Sequence, residues 1–199
     1  MNTKAAAQHS SGGTTGSGPT IGRRGIAYAF TGVPTPTTAI QVAVRFAEQR
    51  GKIVTNGVPH SRVQQILASA LQLPPFVEIP VKHLHLDVHR AEDGAYRNQM
   101  GLAVAVGMVS ALGRKPIPES HLFLGDLDLQ AQVAEVASEA VDFVNAAIAD
   151  FTIETPFTVV LGVESAKWVN ASSTVKVIAA KSLSDVVTAV WPDVNLQPW

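Results

Sequence analysis

The segment Gly101-Leu-Ala-Val-Ala-Val-Gly-Met-Val-Ser-Ala-Leu-Gly113 decides how this chain folds, together with the Arg114-Lys-Pro-Ile-Pro118 turn and the His121-Leu-Phe-Leu-Gly-Asp-Leu-Asp-Leu-Gln-Ala-Gln-Val133 run that follow it. Its first part carries no charge and offers water no polar face, and a helix apolar all round is buried. The reading predicts a helix over Asn98 to Leu112. The strongly apolar part, Met100 to Leu112, would be roughly 20 Å long against about 30 Å of bilayer hydrocarbon, which makes it a core helix rather than a membrane span. Pro116 and Pro118 fix the basic turn that ends it. Leu122 to Leu124 and Leu127 to Leu129 are expected as short strands about a tight Gly125-Asp126 corner.

Upstream, Gly25 to Thr31 alternates weakly as a short β-like run, Val33-Pro-Thr-Pro-Thr is a turn, Ala39 to Ala47 alternates apolar and polar residues as a half-buried strand does, and Arg50-Gly51 turns the chain into a further run, Lys52 to Asn56. His60 to Leu73 places Val63, Ile66, Leu67, Ala70 and Leu71 on one helical stripe, and Pro74-Pro75 ends it. Lys82 to His89 alternates strictly and reads as a strand. Downstream, Val136 to Ala149 is expected as a helix with Val141, Val144 and Ile148 inward. Phe157 to Leu161 and Val175 to Ala179 are expected strands, and Ser182 caps a last helix, Leu183 to Val190, with Asp185 in the capping-box position. Strands first, then alternating helices and strands, make an α/β (α+β) sandwich.

At 199 residues the chain suits one domain with a tail. Residues 1 to 20 are too polar and glycine-rich to offset their ordering entropy, so residues 21 to 199 are taken as the domain. With 46% hydrophobic and 16% charged residues, a compact fold with some apolar surface for partners is expected. Fifteen basic and sixteen acidic residues give no global footprint for nucleic acid or an anionic membrane. The absence of cysteine excludes disulfides, thiol nucleophiles and thiolate metal sites. No apolar signal region precedes the domain, so a cytoplasmic location is expected. Lys4, Arg23 and Arg24 among serines and threonines, with no acid before Glu48, keep an organellar matrix as the alternative.

The order of these elements resembles the proteolytic domain of Lon-type proteases over roughly residues 22 to 191. Gly25-Ile-Ala-Tyr is similar to the family's opening strand, Gly51-Lys-Ile-Val-Thr-Asn-Gly to its hairpin, His85-Leu-Asp-Val-His to the strand leading to its active-site loop, and Gly101 to Val133 to its most specific part. The non-peptidase Lon-like domains of the DNA-repair protein RadA and the phage-defence protein BrxL are resembled at least as closely. The resemblance implies a ribosomal-protein-S5-domain-2-like fold and self-association, in the family commonly into rings of six driven by an AAA+ ATPase.

Two departures bear on chemistry. Active Lon domains carry their nucleophile in Asp-Gly-Pro-Ser-Ala-Gly before the buried helix, and counting back from the Gly125-Asp126 corner puts that serine at Gln99. An amide cannot attack a carbonyl. The partner lysine should lie near Ala140 or Val141, and no lysine occurs between Lys115 and Lys167. A phosphate-binding Gly-x-x-x-x-Gly-Lys-Ser/Thr loop is also missing, so an ATPase would come from another chain.

His83, His85, Asp87 and His89 project from one face of a strand and could ligate Zn²⁺, although an amphipathic strand explains them as well. Ser110 could be a displaced nucleophile, but a serine bonding back to a carbonyl of the preceding helical turn is commoner. Ser165 with Lys167 and Ser172 with Lys176 are hydroxyl and amine pairs of the kind that chance supplies. Asp126 and Asp128 could do acid-base work, with a structural role preferred. Arg90, Arg97, Arg114 and Lys115 could rim a nucleic-acid channel, with solvated surface preferred. The expectation is a non-catalytic assembly module with no cofactor, metal or membrane. A divergent ATP-dependent Lon-type serine endopeptidase and a nucleic-acid-binding module are the alternatives.

Overall fold

The computed structural model describes residues 23–29, 40–47, 53–77, 83–89, 99–118, 120–150 and 156–192, and the N-terminal tail expected over residues 1 to 20 lies outside them. In chain order the elements are β1 (Arg23–Ala29), β2 (Ile40–Ala47), β3 (Ile53–Asn56), α1 (His60–Leu71), β4 (His83–His89), α2 (Gly101–Gly113), β5 (His121–Phe123), α3 (Ser138–Asp150), β6 (Phe157–Gly162), α4 (Val163–Ala166), β7 (Val175–Ala180) and α5 (Leu183–Val190). A short 3₁₀ turn, Pro74–Phe76, follows α1.

The strands form one seven-stranded sheet in the order β3-β4-β2-β1-β5-β6-β7. β2 runs antiparallel to both β1 and β4, whereas β1, β5, β6 and β7 are mutually parallel neighbours, and β3 runs parallel to β4. Antiparallel pairing is thus confined to β2 with its two neighbours, while the chain crosses over between parallel strands through α1 from β3 to β4, α3 from β5 to β6 and α4 from β6 to β7. The chain is of mixed α/β class, as expected.

Adjacent residues of β6 point to opposite faces, and each face has its own core. Val160 joins Val42, Val44, Leu84 and Leu86 in the larger core, which α1, α2 and α5 cover. Val159 and Leu161 join Val141 and Val144 of α3 in the smaller one. Burial on both faces explains why Phe157–Gly162 reads as a continuous apolar run. Over β2, β4 and β3 the second face is open: Arg45, His85 and Val54 are exposed cross-strand neighbours there.

All thirteen residues of α2 are buried. Small residues let it approach the sheet, and a Cβ on Gly107 would sit 3.0 Å from Val44 Cγ2. Its ends find partners inside the protein. At the N-terminus, Leu102 N donates to Gly125 O at 3.0 Å and Gly125 N donates to Gln99 O at 3.0 Å. At the C-terminus, Arg114 takes a left-handed conformation with φ of 53°. Lys115 N donates to Ser110 O, Ser110 Oγ donates to Lys115 O, and the buried Trp191 indole donates to Pro116 O at 2.9 Å.

Three sequence expectations need correction. The helix starts at Gly101 rather than Asn98. Leu127 to Leu129 is not a strand: Leu127 makes a single bridge to Val133, because Asp128 Oδ1 accepts from Gln130 N and Gln132 N and curls the chain into a turn. The expected helix from Val136 begins at Ser138. Alternating Leu and Asp mimicked a strand while the aspartate made a turn of its own.

The corner is held by charge. Arg62 of α1 pairs with Asp126 at 2.5 Å, and also donates to Leu127 O. Both side chains keep about a quarter of their exposure, so the pair contributes on the order of 1 kcal/mol. A Cβ on Gly101 would lie 1.6 Å from Asp126 Oδ1, so only glycine leaves room for that carboxylate. Gly101→Ala should lower stability by about 1–3 kcal/mol, measured by denaturant unfolding. In combination with Asp126→Ala the loss should fall short of the sum of the two single losses, because the obstructing oxygen is gone. Strict additivity would show that the two positions do not collide.

Candidate functional site

The positions singled out by the resemblance sit on either side of the Gly125 corner. Gln99 immediately precedes α2, and its Oε1 is buried with no hydrogen-bond partner among the described residues. Gly125 lies between it and the entry to α3: a Cβ there would meet Val136 Cγ1 at 3.5 Å. Ala140 and Val141 occupy the first turn of α3 and are buried, at 2% and 3% exposure. Neither side chain can donate or accept a proton.

The remaining candidates are dispersed. Ser110 is 2% exposed, and its hydroxyl closes the C-terminus of α2 by bonding forward to Lys115 O, not back to the preceding turn. Asp126 pairs with Arg62 and accepts from Leu127 N, whereas Asp128 makes the following turn, so the two carboxylates do not act as a pair. Lys167 bonds Glu164 at 2.5 Å, not Ser165. Ser172 is engaged by Thr174 and by the amide of Val175, with no bond to Lys176. His85 is exposed beside Arg45, a neighbour that disfavours a cation, and the side chains of His83, Asp87 and His89 lie outside the described residues. Among the described residues no cluster of three potential metal ligands occurs. Arg114 and Lys115 are exposed, and Arg90 and Arg97 lie outside the described residues. No described helix is long and apolar enough to cross a membrane.

A polar knot that sequence reading missed joins α3 to α4. Glu135 precedes α3 and reaches the start of α4, where Oε1 accepts from Glu164 N at 3.2 Å and Oε2 accepts from Ser165 N at 2.7 Å and Ser165 Oγ at 2.6 Å. The same hydroxyl accepts from Val136 N at 3.0 Å. Ser165, 4% exposed, is thus fully engaged. Asn145 of α3 ties the next turn: its Nδ2 donates to Trp168 O and its Oδ1 accepts from Asn170 N, both at 2.7 Å. The partners are 23 to 30 residues apart, and no local pattern announces them.

Between these contacts lies a cleft of 410 Å³ walled by Val136, Val141 and Trp168, with Glu135, Asp142 and Glu164 at its polar side. Trp168 is 73% exposed. Chemically the cleft offers an aromatic face, apolar walls, carboxylates and the hydroxyls of Ser138 and Ser165, a set that suits a cation.

Two groups should give the fold its acid sensitivity. His121 is half-buried, its Nδ1 has no partner among the described residues, and burial followed by the Lys176 charge holds its imidazole below the usual 6.5. The unfolded chain takes up this proton first, so stability falls as pH drops from 6.5 through the lowered folded value. Burial pushes Glu135 up, but the Ser165 hydroxyl, the Ser165 and Glu164 amides and Lys167 outweigh it and hold the carboxyl below the usual 4.5. Its contribution is present above 4.5 and is lost as pH falls through the folded value. Thermal melts across this range should show His121→Phe flattening the upper limb and Glu135→Gln flattening the lower one. An unchanged pH profile in both variants would refute the assignment. No protein-family model matches the chain, and no curated protein matches it.

Proposed function

We propose that the chain is a Lon-like domain without peptidase chemistry, acting as an assembly and interaction module. The observation that carries this reading is the chemistry of two places: an amide at Gln99 ahead of the buried helix, and buried apolar side chains at Ala140 and Val141 where the resemblance puts the lysine. The sheet of mixed direction, with a buried helix against β1 and β2, is compatible with that fold. Exposed Trp168, Leu129 and Val77, each more than 60% accessible, suit a surface meant for partners. A motor, where one is used, is a separate AAA+ ATPase, since the chain has no phosphate-binding loop.

The alternative, a divergent serine endopeptidase using Ser110, requires a buried hydroxyl to leave Lys115 O and find a base. Nucleic-acid binding rests on Arg114 and Lys115, the two candidate rim residues within the described set.

Sedimentation velocity on the full chain at tens of micromolar should show self-association, and a strictly monomeric species would overturn the assembly reading. Incubation with an unfolded protein substrate should release no peptides by mass spectrometry. Cleavage lost in Ser110→Ala would establish the peptidase reading instead.

A further inference from the structure

We infer that the cleft between α3 and α4 is a receptor for an arginine side chain that a partner protein presents between apolar residues. The inference deepens the interaction-module reading, on which it rests, by naming the surface and the chemistry of what it takes.

The exposed indole comes first. Trp168 offers most of its surface to water, yet its main chain is pinned: Trp168 N donates to Ser165 O at 3.1 Å, and Asn145 holds Trp168 O and Asn170 N with both of its amide atoms. An aromatic ring on a mobile loop tip has no fixed address, whereas one on a clamped turn is positioned before any ligand arrives. Such preorganisation lowers the ordering cost of binding and is a feature of interface anchors.

The carboxylates around it differ in availability. Glu135 is consumed by the amides of Glu164 and Ser165 and by the Ser165 hydroxyl. Glu164 is paired with Lys167. Asp142 is exposed on α3, lines the same cleft, and has no hydrogen-bond or ion-pair partner among the described residues. Three carboxylates against the one ammonium of Lys167 leave the cleft at a formal charge of −2. The uncommitted group lines the same cleft as the pinned indole.

These surroundings select among cations. Val136 and Val141 suit a methylene stem rather than a fully hydrated ion. A guanidinium is planar, so it can lie on the indole face while two of its N–H groups meet a carboxylate. A lysine ammonium can meet Asp142 but has no plane to stack. A volume of 410 Å³ exceeds one side chain, leaving room for apolar neighbours of the arginine.

The test titrates isotopically labelled full-length protein with the blocked pentapeptide Ala-Leu-Arg-Leu-Ala and with the same peptide carrying citrulline, which keeps the shape and loses the charge. Saturable shifts of the Trp168 indole and of amides near Asp142 are expected, weakened about tenfold or more by citrulline and by added salt. Asp142→Asn and Trp168→Leu should each cost a similar factor with the melting temperature unchanged. Absence of saturable shifts, equal binding of the citrulline peptide, or shifts confined to another face would overturn the proposal, and these arms need no variant to fold. A lysine peptide that binds as well as the arginine peptide would overturn the choice of cation. Self-association without peptide binding sinks the cleft alone, and peptide binding by a strict monomer sinks the assembly reading alone.

Discussion

A helix with no face toward water must find partners for its end groups inside the protein, and α2 imposes that constraint on everything around it. At its N-terminus Leu102 N donates to the Gly125 carbonyl, and at its C-terminus Lys115 N donates to Ser110 O, the Ser110 hydroxyl donates to Lys115 O, and Trp191 ties down the loop that follows. Two segments distant in sequence, at Gly125 and at Trp191, are therefore committed to its two ends. α2 also lies on β1 and β2, and β5 is the neighbour of β1, which brings the corner after β5 to Leu102. The strand order and the capping of one apolar helix are the same fact seen from two sides.

The legible parts of the sequence were those whose cause is local. Leu183–Val190 was read to the residue because Ser182 and Asp185 form a capping box within a single turn. The stripe of α1 was read because Val63, Ile66, Leu67 and Ala70 repeat with the helix period and are all buried. β6 was read from its apolar run. What escaped depends on side chains that substitute for backbone or reach across the fold. Asp128 turns a segment that alternates like a strand, and Ala131 accepts a φ of 60° in the same turn, although alanine gives no notice of it. The Glu135, Ser165 and Asn145 contacts span two elements each, and nothing in the intervening residues points to them. The residue types at Gln99, Ala140 and Val141 are legible in the sequence, but the cleft that Val141 lines is not, because a cavity is a property of packing.

The smaller core bears on the functional reading. Val141 packs with Val144, Val159 and Leu161, so its place is filled by hydrocarbon. One residue further along the helix, Asp142 faces outward with a negative charge, so the entry to α3 is apolar below and acidic above.

The knot at α4 has a consequence for how such a sequence can drift. A Cβ on Gly162 would fall 2.7 Å from Glu135 Oε2, and the Glu135 carboxylate is held in place by the first amides of α4. Gly162 is not free to grow while Glu135 stays. The two are 27 positions apart yet form one heritable unit, and relatives of this chain that carry a larger residue at 162 are expected to carry a shorter one at 135.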